Sequence, residues 1–172
     1  MIYNLVPCDH PILQTPTQEF NFSNPPIDPV ELVNDMIETM AHNKGMGLAA
    51  PQVGLPYRMF VLWSQETLAV FNPRIVDSTT EEILLEEGCL SFPHLFVKIK
   101  RPRSIKVRFM DPFGNTRTDK FTGMTARCFL HELDHLNGID YTRRATQFHL
   151  ASAYRKQKNL SRQLKRAEKF AI

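Results

Sequence analysis

Residues 127–138 read RCFLHELDHLNG and contain His131, Glu132 and His135 in an HExxH pattern. Positions four apart on a helix lie one turn apart on the same face, so both imidazoles can meet one metal ion while Glu132 stands beside them to carry protons. The chemistry this suggests is metal-assisted hydrolysis. Five-residue patterns also arise by chance on charged, solvated helix faces, so the pattern needs a third protein ligand and an open position for water.

Three sources of that ligand can be weighed. A metzincin protease continues as HExxHxxGxxH, and the chain follows this as far as Gly138 but has Tyr141 where the third histidine belongs. A thermolysin-like enzyme takes a later glutamate, yet the only acids after His135 are Asp140 and Glu168, one too near and the other in a basic tail. An upstream cysteine remains. Cys89 lies in EEGCLS, where Gly88 permits close backbone approach. Cys8, in a Pro-rich entry, and Cys128, in an apolar context, read as small buried residues.

These residues need elements to hold them. The HExxH helix is expected from about Met124 to Leu136, ending at Asn137-Gly138. An earlier helix is expected after Asp28 as N-cap and Pro29 as first helical residue, with Val30, Val33, Ile37 and Met40 or Ala41 facing the core, until Gly45 stops it. Between them, strand-like runs occupy Arg58 to Trp63, Leu68 to Asn72, Ile83 to Glu86, Phe96 to Ile99 and Ser104 to Met110, the last followed by a turn over Asp111 to Asn115. A third helix is expected from Thr146 to Phe170, with Leu160, Leu164, Ala167 and Ala171 as its apolar stripe. The Pro-rich opening should wrap the surface as loop. Strands in the middle with helices at both ends indicate an α+β class.

Three blocks in order, GMGLAAPQVG (45–54), EEGCLSFP (86–93) and HELDHLNG (131–138), resemble the signature motifs of the peptide deformylases, and DHPILQTP (9–16) resembles that family's N-terminal segment. The similarity covers roughly residues 1–142 and fades in the tail. It implies a deformylase-like α+β fold as a single catalytic domain over 1–172, antiparallel strands packed around the central HExxH helix, and removal of formate from N-formylmethionyl peptides. It also implies one divalent ion, Fe²⁺ by preference with Zn²⁺, Ni²⁺ or Co²⁺ as replacements, held by Cys89, His131 and His135, with Glu132 as the proton carrier. By the same resemblance Gln52 and the amide of Leu90 serve the oxyanion, Gly47 lets backbone approach, and Met46 and Gly88 pair with the peptide. Met46, Leu85, Met124, Arg127 and Cys128 match the pocket for the first side chain. Arg127 departs from the aliphatic residue many members carry, so either its stem lines the wall with the guanidinium in solvent, or the pocket is modified.

The first block also fits GxGxxA through Gly45, Gly47 and Ala50, but a dinucleotide site needs a strand before and a helix after, and here a helix precedes and Pro51 follows. Two other function classes stay open: a zincin-type peptidase, opposed by Tyr141, and a metal-binding homologue without turnover, opposed by Glu132 and Gln52. At 172 residues and 42% hydrophobic content the chain suits one core. Three cysteines without paired spacing point to a reducing compartment, the cytoplasm, and neither a signal segment nor a membrane-spanning run is expected. The net charge of +3 hides an asymmetry. From residue 143 on, nine basic residues face one acidic, net +8, which leaves net −5 before it. That basic tail, 145–172, is read either as a solvated face or as a ribosome contact. A monomer is favoured.

Overall fold

The computed structural model describes residues 1–170, with side chains described to residue 167. The first helix, α1, runs Pro29–His42, and Asp28 caps it by accepting from the amides of Val30 at 2.9 Å and Glu31 at 2.8 Å. Its buried face is Leu32, Val33, Met36 and Met40, not the face that begins at Val30, which is 41% exposed, and Ile37 is only partly buried. The stripe is rotated because Asp35 and Thr39 also lie inward, Thr39 accepting from the amide of Tyr3 at 3.0 Å.

Five strands follow in one antiparallel sheet: β1 Gly47–Ala49, β2 Met59–Trp63, β3 Thr67–Ser78, β6 Ser104–Met110 and β7 Thr116–Thr122, in the order β1-β2-β3-β6-β7. Because both faces of this sheet are covered, β2 reads as a continuous apolar run. Met59 and Val61 face the cluster under α1, while Phe60 and Leu62 face a second cluster on the other side. The strand at Leu68 does not stop at Asn72-Pro73. It continues to Ser78 across an irregularity in register, with Asn72 at φ 49°.

The remaining strands, β4 Glu82–Cys89 and β5 Phe92–Pro102, form a separate two-stranded ribbon. Between ribbon and sheet lies α2, Gly123–Leu136. Ala126, Phe129, Leu133 and Leu136 of α2 pack on the sheet, with Phe129 edge-on to Phe60 at 4.9 Å. An aromatic pair of this kind adds about 0.5–1.5 kcal/mol beyond the area it buries. The Pro-rich opening holds one short 3-10 turn, Pro11–Gln14, and then crosses the end of α2, where Thr17 donates twice to the Leu136 carbonyl at 2.9 Å.

The last helix, α3, spans Gln147–Phe170. Leu150 and Ala153 join a third cluster with Leu95, Val97, Ile99 and Tyr141 of the ribbon side. The expected stripe farther along is not packed: Leu160 and Leu164 are 36% and 43% exposed, Ala167 is exposed, and Ala171 lies outside the described residues. Among the described side chains, the contacts of α3 with the ribbon come from its first half, at Leu150, Ala153, Lys156 and Gln157. Among the described residues no helix is long and apolar enough to cross a membrane.

Candidate metal centre

His131 and His135 project from the same face of α2, their rings 5.1 Å apart. Cys89, the last residue of β4, brings its Sγ to 3.2 Å from His135 Nε2. The ligating atoms of Cys89, His131 and His135 all lie within 4.8 Å of one another. Two residues before the cysteine, Glu87 faces His131 Nδ1 at 3.1 Å. With that nitrogen donating to a carboxylate, Nε2 is left for an ion.

Glu87 is itself held by a buried network. Arg101 of β5 donates to both its oxygens, at 2.7 and 2.9 Å, and Arg127 of α2 donates to Oε1 at 2.7 Å. Arg101 also reaches Asp134 at 2.7 Å, and Asp134 takes a further bond from Arg144 at 2.6 Å. The ribbon that carries the cysteine is thereby tied to the helix that carries the histidines. Burial alone would raise the Glu87 pKa, but Arg101 and His131 lower it to about 2.

Glu132 fits beside this cluster only because residue 47 lacks a side chain. A Cβ on Gly47 would come to 2.3 Å from Glu132 Oε1. The other oxygen, Oε2, is buried and has no hydrogen-bond partner. Burial raises the Glu132 pKa to about 7, with the charge of Glu87 adding to the rise and His131 opposing it. Burial works against charge on His131 too, but its bonds to Cys89 and Glu87 win and push it up to about 10. His135, buried and next to that positive ring, is held well below its ordinary value. One cysteine sulfur and two imidazole nitrogens within 4.8 Å of one another suit a single divalent transition ion, and the buried, unpartnered Glu132 oxygen belongs to the residue next to His131.

Gln52 is 1% exposed and its orientation is set by the backbone. Its Oε1 accepts from the Ala49 amide at 2.9 Å, which turns Nε2 toward Ser91 Oγ at 3.1 Å and Cys89 Sγ at 3.5 Å. A cleft of about 350 Å³ opens on these groups. Of the residues expected from sequence, Gly47, Gln52, Leu90, Met46, Gly88, Met124, Arg127 and Cys128 line it together with Cys89, His131 and Glu132. Leu85 does not. It lies two residues before Glu87 on β4 and is 40% exposed outside the cleft. Nor does Arg127 send its guanidinium to solvent: the residue is 4% exposed and bonded inward. Burial raises the Cys128 thiol to about 11, in keeping with an inert wall residue.

Glu87, Ser91, Arg101 and Asp134 were not singled out by sequence. One signal was present in β5, where Leu95, Val97, Ile99 and Arg101 occupy alternate, inward positions. An arginine in an apolar register predicts a buried acidic partner.

A family model described as polypeptide deformylase matches residues 2–150. The chain belongs to this family. A curated peptide deformylase of Thermotoga neapolitana is 47% identical over 108 residues, 62% of this chain and 66% of that protein, so the match spans just under two thirds of that relative's length. One from Wolbachia of Drosophila simulans is 41% identical over 147 residues, covering 77% of this chain and 82% of the relative. Among solved structures, a plant peptide deformylase superposes with a TM-score of 0.84 at 29% identity, over 99% of this chain and 94% of the other. Family membership accounts for the order of the motif blocks; the distances above show that they converge.

Proposed function

We propose that the chain is a peptide deformylase: a single catalytic domain that hydrolyses the formyl group from the N-terminal formylmethionine of nascent proteins. The observation that carries this is the buried, unpartnered Glu132 oxygen beside the Cys89, His131 and His135 cluster, with the Gln52 amide turned inward.

Cys89, His131 and His135 would hold a divalent ion, which would supply Lewis acidity to the carbonyl and to water. Glu132 takes a proton from the water that adds to the formyl carbon, then delivers it to the departing amine nitrogen as the C–N bond breaks and formate leaves. Gln52 Nε2–H and the Leu90 amide donate to the oxygen that gains charge. Gly47 keeps the space Glu132 needs. Met46 and Gly88 offer backbone groups to an extended peptide, as a strand edge does. Met46, Met124, Cys128 and the stem of Arg127 surround the methionine side chain.

The ion we assign is ferrous iron, with zinc, nickel or cobalt able to replace it, since a thiolate and two imidazoles accept all four. The three unpaired cysteines support a cytoplasmic location and nothing in the chemistry requires a second subunit. The exposed cations of α3, among them Lys158, Arg162, Lys165 and Arg166, support a contact with ribosomal RNA phosphates. Replacing those four with Gln should weaken ribosome binding at physiological salt, and unchanged binding removes the contact from the proposal.

Formate release from formyl-Met-Ala-Ser tests the activity. Wild type should release formate and leave an internal peptide intact, and Glu132→Gln should lose at least about 100-fold. Cleavage of the internal peptide would mark a zincin-type peptidase, and neither reaction would leave a metal-binding homologue without turnover.

A further inference from the structure

The second arginine on Glu87 is more than charge balance requires. Arg101 alone engages both carboxylate oxygens, at 2.7 and 2.9 Å. Arg127 is nevertheless buried at 4% exposure, one helical turn before His131 on the same face of α2. A desolvated guanidinium is costly unless its donors are used, and here they are. One terminal nitrogen donates to Glu87 Oε1 at 2.7 Å and to the Ile99 carbonyl at 3.1 Å, while the other donates to the Ile83 carbonyl. Those acceptors belong to both strands of the ribbon, Ile83 and Glu87 to β4 and Ile99 to β5. Among the described residues no ladder of backbone bonds joins this ribbon to the five-stranded sheet; beyond the link at Arg103, whose carbonyl accepts from the Gly123 amide at 2.9 Å, side chains hold the ribbon to α2.

We infer that Arg127 is a positioning residue that fixes the ribbon, and with it Cys89, at ligating distance from the two histidines of α2. The fork of a guanidinium can span three acceptors; an ammonium cannot. Glu87 then transmits the constraint in two ways, through the backbone to Cys89 two residues on and through Oε2 to His131 Nδ1. Arg127 also lines the cleft, so a role confined to substrate contact is the alternative. The two roles separate experimentally, because wall contact alters KM and positioning alters the hold on the ion. This inference rests on the metal-site reading of Cys89, His131 and His135.

The test titrates metal-free protein with Co²⁺ against a competing chelator, following the thiolate-to-cobalt absorption band. Arg127→Met should weaken Co²⁺ binding about 10-fold or more, the scale of changes behind a ligand, and shift the band. Arg127→Lys should fall between it and wild type. Met124→Ala, a change elsewhere in the cleft wall, should raise KM for formyl-Met-Ala-Ser and leave Co²⁺ binding alone. Co²⁺ affinity within about twofold of wild type in Arg127→Met overturns the inference. If that variant does not fold, wild-type affinity in folded Arg127→Lys overturns it equally. A wild type that binds cobalt yet releases no formate would defeat the deformylase proposal and leave these affinities decisive.

Discussion

The two halves of the candidate metal centre are held by different forces. The histidines stand on α2, whose inner face is clamped to the sheet by Ala126, Phe129, Leu133 and Leu136 in a dry apolar cluster. The cysteine stands on a two-stranded ribbon bonded to the same helix chiefly through a buried charge network, running from Arg127 through Glu87 and Arg101 to Asp134, with backbone carbonyls taking other guanidinium donors. Apolar packing is indifferent to pH and tolerant of direction; a charge network is neither. The difference suggests that precision at the site comes from the ribbon side and endurance from the sheet side.

The contrast can be broken most severely at Phe129. Phe129→Ala should cost about 3–5 kcal/mol and lower the unfolding midpoint of the molecule as a whole, seen in a denaturant titration. A loss under 1 kcal/mol would mean that α2 does not depend on the sheet.

Acid should act next, and on the ribbon first. The Glu87 pKa falls from 4.5 in the unfolded chain to about 2 in the folded one, so its contribution is present above 4.5 and is lost as pH drops through 2. The linked loss is on the order of 3 kcal/mol. Hydrogen exchange between those pH values should show β4 and β5 opening before β2. Uniform loss of protection would erase the distinction.

The smallest effect sharpens the comparison within the ribbon itself. Lys156 meets Glu86 at 3.3 Å with both side chains exposed, and Lys156→Ala should change stability by no more than about 0.5 kcal/mol. A thermal melt that moves by several degrees would show that exposed charge matters here as much as buried charge.

Legibility in the sequence followed the same division. The HExxH helix, the Asp28 cap and the strand Ser104–Met110 could be read because apolar spacing and capping chemistry are local. β1 was hidden, since GLA is only three residues long, too short to show alternation, and its strand character comes from pairing with β2. β7 was hidden as well, because TRTDKFT lies at a sheet edge with little buried and so has no alternation to show. In the candidate site, His131, Glu132 and His135 stood out by helical spacing, and Cys89 by elimination and the EEGCLS resemblance. Glu87 and Asp134 did not, because their ion pairs join residues far apart in the chain; Arg101 left one mark, its place in the apolar register of β5, and Arg127 stood out as a pocket residue but not as a partner of Glu87.

The crossing of the opening segment over the end of α2 has a consequence in time. Thr17 bonds to the carbonyl of Leu136, and a Cβ on Gly138 would strike the backbone of Gln14 at 2.8 Å. Gln14 and Thr17 must therefore await Leu136 and Gly138, which are synthesised well after them. The cysteine, too, precedes both histidines. No ribosome-bound fragment ending before residue 135 can own all three ligands, and contacts of such long sequence separation form slowly. The Cys89, His131 and His135 cluster should assemble abruptly in the life of the growing chain, in one late closure.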